Sequence, residues 1–138
     1  QFLNSVKGQR GIIFCRTRNE TKKLAAKLIA KNMPSDAIHG DLLQKERDKV
    51  MRAFKNETLS TIVATDIAAR GIDVPDLTFV VHYQLPDQDE YYTHRSGRTA
   101  RAGKEGISLV LANTYEAKKI RHYEKYLRIS FSKVKVIK

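Results

Sequence analysis

Cysteine is nearly missing from this chain. Cys15 stands alone among 138 residues, so no internal disulfide can form, and one cysteine with four scattered histidines offers no metal-ligand spacing. Long apolar runs are missing too. None approaches the roughly 18 residues a membrane span needs, and the N-terminus lacks the apolar core of a signal peptide. The expectation is an intracellular, cytoplasmic protein with no membrane partner. There is no Gly-x-x-x-x-Gly-Lys-Ser/Thr loop, and hence no complete triphosphate cradle within the chain. No phosphate-binding glycine loop follows the first apolar run either, which argues against a flavodoxin-like nucleotide binder acting alone. Internal repeats and low-complexity segments are absent.

What is present suits one domain with a real core, since 41% of the residues are apolar. Acids are in deficit, 15 against 26 Lys and Arg, and the formal charge of +11 points to a polyanionic partner. The excess is uneven. Residues 1 to 32 carry a net +7 and residues 115 to 138 a net +6, whereas 33 to 114 net −2. Non-specific phosphate attraction belongs to the ends, and the chemistry belongs to a few placed cations in the middle.

Along the chain, residues 2 to 8 read as a short helix stopped by Gly8. Gly11 to Cys15 is an apolar, β-rich run, the mark of a strand buried on both faces. Thr17-Arg18-Asn19-Glu20 has the form of a capping box and opens a helix to Ala30. Lys31 to Ser35 breaks it, Ala37 to His39 makes a brief strand, and Gly40 turns the chain. Asp41 is expected to cap the next helix with Gln44 as its partner, and Leu43, Val50 and Phe54 form its apolar stripe. Thr61 to Thr65 and Thr78 to Tyr83 read as strands on either side of a polar excursion, 66 to 75. Asp87 is expected to cap a helix that runs to near Gly103. Ile107 to Leu111 is a strand, Asn113 or Thr114 caps a helix to about Arg128, and Ile129 to Val136 alternates as an edge strand does.

Strand and helix alternate throughout, the pattern of an α/β fold with a mostly parallel sheet covered by helices. Such sheets bind ligands beyond the carboxyl ends of their strands. Thr17, His39, Gly40, Thr65 and Asp66 fall at those ends and should share one rim. The stretch His94 to Gly103 concentrates cations further. As a helix it would set His94, Arg98 and Arg101 on one face, an arrangement suited to a polyphosphate, although a solvated basic face is the simpler alternative.

Four ordered blocks carry more weight together. They are Phe14-Cys15-Arg16-Thr17; His39-Gly40 with Gln44 and Arg47; Ala64-Thr65-Asp66 with Ala69-Arg70-Gly71 and Asp73; and His94-Arg95 with Gly97-Arg98-Thr99 and Arg101. This set resembles motifs IV, IVa, V and VI of the C-terminal RecA-like domain of DEAD-box ATP-dependent RNA helicases, across essentially the whole chain. The His-Arg start of the last block is the specific part, and Ala100, where a glycine is common, is a mild departure.

The resemblance implies a RecA-like three-layer sandwich, with residues 1–138 forming a single C-terminal domain cut from a longer helicase. It implies that Arg98 and Arg101 are arginine fingers for ATP held on an N-terminal RecA-like domain, that His94 links the ATP state to that domain, and that Asp73 meets the ATP ribose. It implies a structural ion pair for Arg95, with Asp66 as candidate partner. Thr17, Gly40, Gln44, Arg47, Thr65, Arg70 and Gly71 match positions along the RNA backbone, which would give little sequence preference. ATP and Mg²⁺ would be held mainly by the N-terminal domain, because the Asp-Glu-Ala-Asp sequence is absent here. The full enzyme would unwind short RNA duplexes, and this chain alone would be inactive. The alternative is a non-catalytic RNA-binding or interaction domain. The basic residues Lys118, Lys119, Arg121, Lys125, Arg128, Lys133 and Lys135 form either a solvated face or an extension of the RNA track.

Overall fold

The computed structural model describes residues 2–5, 9–33, 35–70, 77–86, 88–97 and 106–133. The chain divides into two compact units, Gly8–Leu111 and a second made of Gln1–Lys7 with Ala112–Lys138.

The larger unit is built on one five-stranded sheet. Its strands β1 (Gly11–Cys15), β2 (Ser35–Ile38), β3 (Thr61–Thr65), β4 (Phe79–His82) and β5 (Ile107–Val110) lie in the order β2-β3-β1-β4-β5. Every pairing among the described residues is parallel. A parallel sheet must be covered on both faces, which is why β1, β3 and β4 read as predominantly apolar runs. Side chains along a strand alternate between faces, and the helices divide accordingly. Ile12, Phe14, Ile38, Ile62, Ala64 and Val80 pack into one cluster with Val50 and Phe54 of α3 (Gln44–Lys55) and with Ala68 and Ala69 of α4 (Asp66–Ala69). Ile13, Cys15 and Val63 take the opposite face. There α2 (Arg18–Ala30) buries Thr21, Leu24, Ala25 and Leu28, and the Thr21 hydroxyl meets the Cys15 thiol. Burial pushes that thiol up to about 11. The result is three layers, as a RecA-like α/β domain requires. At the start of β1, the ring of Phe79 fills the space that a Cβ on Gly11 would need, so glycine is a steric requirement there.

The register sets Cys15 opposite Thr65, Ile38 opposite Ala64, and His82 opposite both Phe14 and Val110. Residues that follow these strand ends therefore emerge along one edge of the sheet.

Several boundaries differ from the sequence reading. Helix α3 starts at Gln44 rather than from an Asp41 cap. Leu43 occupies the cap position, and its N–H donates to Glu46 Oε1 at 3.0 Å. Leu43 is 69% exposed and contributes nothing to the apolar stripe. Helix α5 (Asp89–Ser96) begins from Gln88 and ends at Ser96, with the Gly97 N–H donating to Thr93 O at 2.8 Å. The expected cap Asp87 and the expected continuation from Arg98 to Gly103 lie outside the described residues.

The smaller unit holds α1 (Phe2–Ser5), a single 3₁₀ turn (Thr114–Glu116) and α6 (Ala117–Leu127). Asn113 caps it reciprocally: Glu116 N donates to Asn113 Oδ1 at 3.0 Å, and Asn113 N donates to Glu116 Oε1 at 3.1 Å. Of the edge strand expected over Ile129 to Val136, residues 129–133 form no strand, and 134–136 lie outside the described residues. The amides that a ladder would use are taken by the helix end, since Ile129 N donates to Glu124 O and Phe131 N donates to the Glu124 carboxylate. No helix among the described residues is long and apolar enough to cross a membrane.

Candidate functional site

The rim is organised by one buried guanidinium. Thr65 caps α4, its Oγ1 accepting from Ala68 N at 3.2 Å, and this holds Asp66 in the first turn. Arg95 on α5 meets that carboxylate with one edge of its guanidinium, Nε to Oδ1 at 2.7 Å and Nη2 to Oδ2 at 2.8 Å. Its remaining edge donates to the Gln84 carbonyl at 2.8 Å, and its plane lies over the Phe14 ring at 5.1 Å. Arg95 is 1% exposed. A charge so buried is tolerable only with its donors satisfied, and here they are. This is the ion pair expected of Arg95.

Next to it lies His82, also fully buried. Its Nε2 is 3.0 Å from Ser108 Oγ and 3.3 Å from Ser96 Oγ, and its ring stacks on Tyr92 at 4.7 Å. Burial, and then the Arg95 charge facing Nδ1, push the imidazole down to about 3, so it is neutral. With Nδ1 facing a cation, the ring proton belongs on Nε2. Helix α5 is thus fixed to β4 and β5 through Ser96 and to α4 through Arg95. Successive residues on a helix point about 100° apart, so His94 is left exposed while Arg95 is buried. His94, Arg70, Tyr91 and Asp66 line a cleft over Phe14.

On the other half of the rim, Thr17 caps α2 through Glu20 N at 3.2 Å. The Gly40 turn is closed by Leu42 N donating to His39 O at 3.2 Å, and nothing lies within 4 Å of where a Cβ on Gly40 would sit. The backbone there is open to close approach. His39 is lowered from its ordinary value by burial and by the Lys22 charge, and its Nδ1 accepts from Asp41 N at 3.2 Å. Asp41 receives Arg18 and Lys22, each at 3.0 Å, and the Lys22 bond holds its carboxyl below the usual range. Gln44 Nε2 donates to Asp48 at 2.8 Å, and Arg47 Nη2 donates to Arg70 O at 3.1 Å, joining α3 to the end of α4.

Of the residues singled out from sequence, the rim gathers Thr17, Gly40 and Thr65 at or just after strand ends, Arg70 at the end of α4 and His94 in the last turn of α5, with Gln44 and Arg47 on α3 beside them. Gly71, Asp73, Arg98 and Arg101 lie outside the described residues. Asp41, read as a cap, serves instead as counter-charge to Arg18 and Lys22, which are four apart on one helix face. The Ser96–His82–Ser108 contacts were missed; the one hint was a histidine inside an otherwise apolar strand. Among the described residues, no three His, Cys, Asp or Glu side chains stand together as a metal would need. Both rim acids, Asp41 and Asp66, already face cations, and the remaining donors suit anionic oxygens.

Comparison with known proteins identifies the family. The family model described as the helicase conserved C-terminal domain matches residues 1–103. A probable ATP-dependent RNA helicase of Methanocaldococcus jannaschii is 45% identical over 125 residues, which is 91% of this chain and 34% of that protein. The chain therefore spans about a third of that relative's length. The crystal structure of a DEAD box protein from the hyperthermophile Methanococcus jannaschii is similar with a TM-score of 0.86 and 42% identity, over 97% of this chain and 38% of that one. S. cerevisiae Dbp5 bound to RNA and ADP BeF3 is similar with a TM-score of 0.81 and 29% identity, over 91% of this chain and 34% of that one.

Proposed function

Since the chain belongs to the helicase conserved C-terminal domain family, in its DEAD-box RNA helicase branch, we propose that its 138 residues are the C-terminal half of a cytoplasmic ATP-dependent RNA helicase. It works against a second, nucleotide-holding RecA-like domain. The observation that carries this reading is the Asp66–Arg95 fork at 2.7 and 2.8 Å, which joins the motif V block to the motif VI block. It fixes the helix leading to Arg98 and Arg101 and leaves His94 and Arg70 exposed at the cleft.

ATP supplies the phosphoanhydride that is cleaved, and Mg²⁺ is held mainly by the partner domain. Arg98 and Arg101 bind the terminal phosphate oxygens and stabilise the charge that develops there, work for which a permanently charged guanidinium is suited. Asp73 accepts a hydrogen bond from the ribose. His94 faces the partner domain and reports the nucleotide state to it. Thr17, Gly40, Gln44, Arg47, Thr65, Arg70 and Gly71 line the RNA backbone, offering hydroxyls, an open turn and guanidiniums to phosphates and 2′-hydroxyls. Closure of the two domains on a bound strand separates short duplexes.

In the protein that carries this chain with its nucleotide-holding domain, Arg98→Ala should lower RNA-stimulated ATP turnover by about 10³ to 10⁵, with the thermal unfolding midpoint unchanged. Retention of most turnover would defeat the role given to Arg98, whereas a lack of RNA-stimulated turnover in the unaltered protein would favour a non-catalytic RNA-binding or interaction domain.

A further inference from the structure

Helix α6 lies beyond residues 1–103, the segment the family model matches, and its exposed side has no part in the reaction proposed above. Lys118, His122 and Tyr126 follow one another at intervals of four and so share one face, with Arg121 and Lys125 beside them at the same interval. All five are exposed, Tyr126 to 67%. The His122 and Tyr126 rings stack at 5.6 Å and 12°, forming a nearly parallel aromatic pair among the cations. Acids nearby are turned elsewhere: the Glu124 carboxylate accepts from Phe131 N at 3.0 Å, and that of Glu116 accepts from Asn113 N at 3.1 Å. On the opposite arc, Tyr123 is buried and Ile120 and Leu127 are half-buried.

We infer that this face of α6 is a second RNA-binding surface, which takes single-stranded RNA without nucleotide. Phosphates suit Lys118, Arg121 and Lys125, and the exposed Tyr126 ring of the stacked pair offers a face on which a base can stack whatever its identity. A lipid surface would need an apolar stripe directed outward beside the cations, and the apolar residues of α6 are on its other side. An acidic peptide would use the cations but leave the ring pair without a role.

The test is fluorescence anisotropy of a labelled oligouridine with the complete protein, in the absence of nucleotide and over a range of salt. Tyr126→Ala should weaken binding by about fivefold to a hundredfold, the range for one base–aromatic stack, and Tyr126→Phe should retain the affinity. Replacing Lys118, Arg121 and Lys125 together with Gln should flatten the slope of log K against log salt by about 2, as expected for three phosphate contacts on a single strand. Unchanged affinity in Tyr126→Ala together with an unchanged slope in the triple variant would overturn the inference. So would a loss, in these variants, of binding to phosphatidylserine vesicles with RNA binding intact. ATP turnover reports the proposed reaction and this titration reports α6, so the two readings can fail separately.

Discussion

Arg95 and Arg121 are the same side chain in opposite circumstances. The first is 1% exposed, with its donors assigned to Asp66 and Gln84 and its plane on Phe14. The second stands exposed on a helix whose one acid, Glu124, serves a backbone amide. Several cations of the sheet unit are therefore part of the architecture, with Arg18 and Lys22 held on Asp41 and Arg47 on a carbonyl. Basic charge on α6 is presented to solvent. Net charge alone does not separate the two; the location of the acids does.

The largest effect should come from breaking the buried side of this contrast. Arg95→Ala leaves the Asp66 carboxylate without its counter-charge and a void in the core, and should destabilise the sheet unit by about 3–5 kcal/mol in urea unfolding, and Arg95→Lys should recover little, because an ammonium cannot replace a planar fork. A midpoint shift of the size usual for surface substitutions would show that the fork is ornamental.

A smaller effect follows from His82. Its folded value of about 3 lies below the ordinary 6.5, so the unfolded chain binds the extra proton between them. The stability it contributes is complete above 6.5 and is lost as pH falls toward 3, by at most about 1.4 kcal/mol per pH unit. His39 is shifted in the same direction. Urea midpoints measured from neutral pH downward should fall more steeply for the native chain than for His82→Asn, and parallel curves would refute the assignment.

The smallest effect belongs to the exposed side. Arg121→Ala should change stability by no more than about 0.5 kcal/mol, as surface substitutions do, even where it weakens RNA binding. A large loss of stability would place Arg121 with Arg95 and dissolve the distinction.

The sheet and its rim are legible in the sequence because both rest on local pattern. Gly11–Cys15 and Thr61–Thr65 have the bounds that their apolar, β-rich composition indicates. The errors arose where a distant group outcompeted a local one. Asp41 has the chemistry of a helix cap, but Arg18 and Lys22, brought beside it by the fold, take its carboxylate. The alternation after Arg128 has the period of a strand, but Glu124 captures the amides at its start. Contacts between residues as far apart as Ser96, His82 and Ser108 leave no periodic signature, and only the polar interruption of β4 pointed toward them. Arg95 was legible because the motif supplied both its partner and its spacing.

Cys15 has a practical consequence. It is the one thiol in the chain, fully buried in the sheet and held protonated at neutral pH. The folded domain therefore presents alkylating and dye reagents with no competing nucleophilic sulfur. A cysteine introduced on the open face of α6 or beside Gly40 would become a clean attachment point for a fluorophore, with no need to remove the native one.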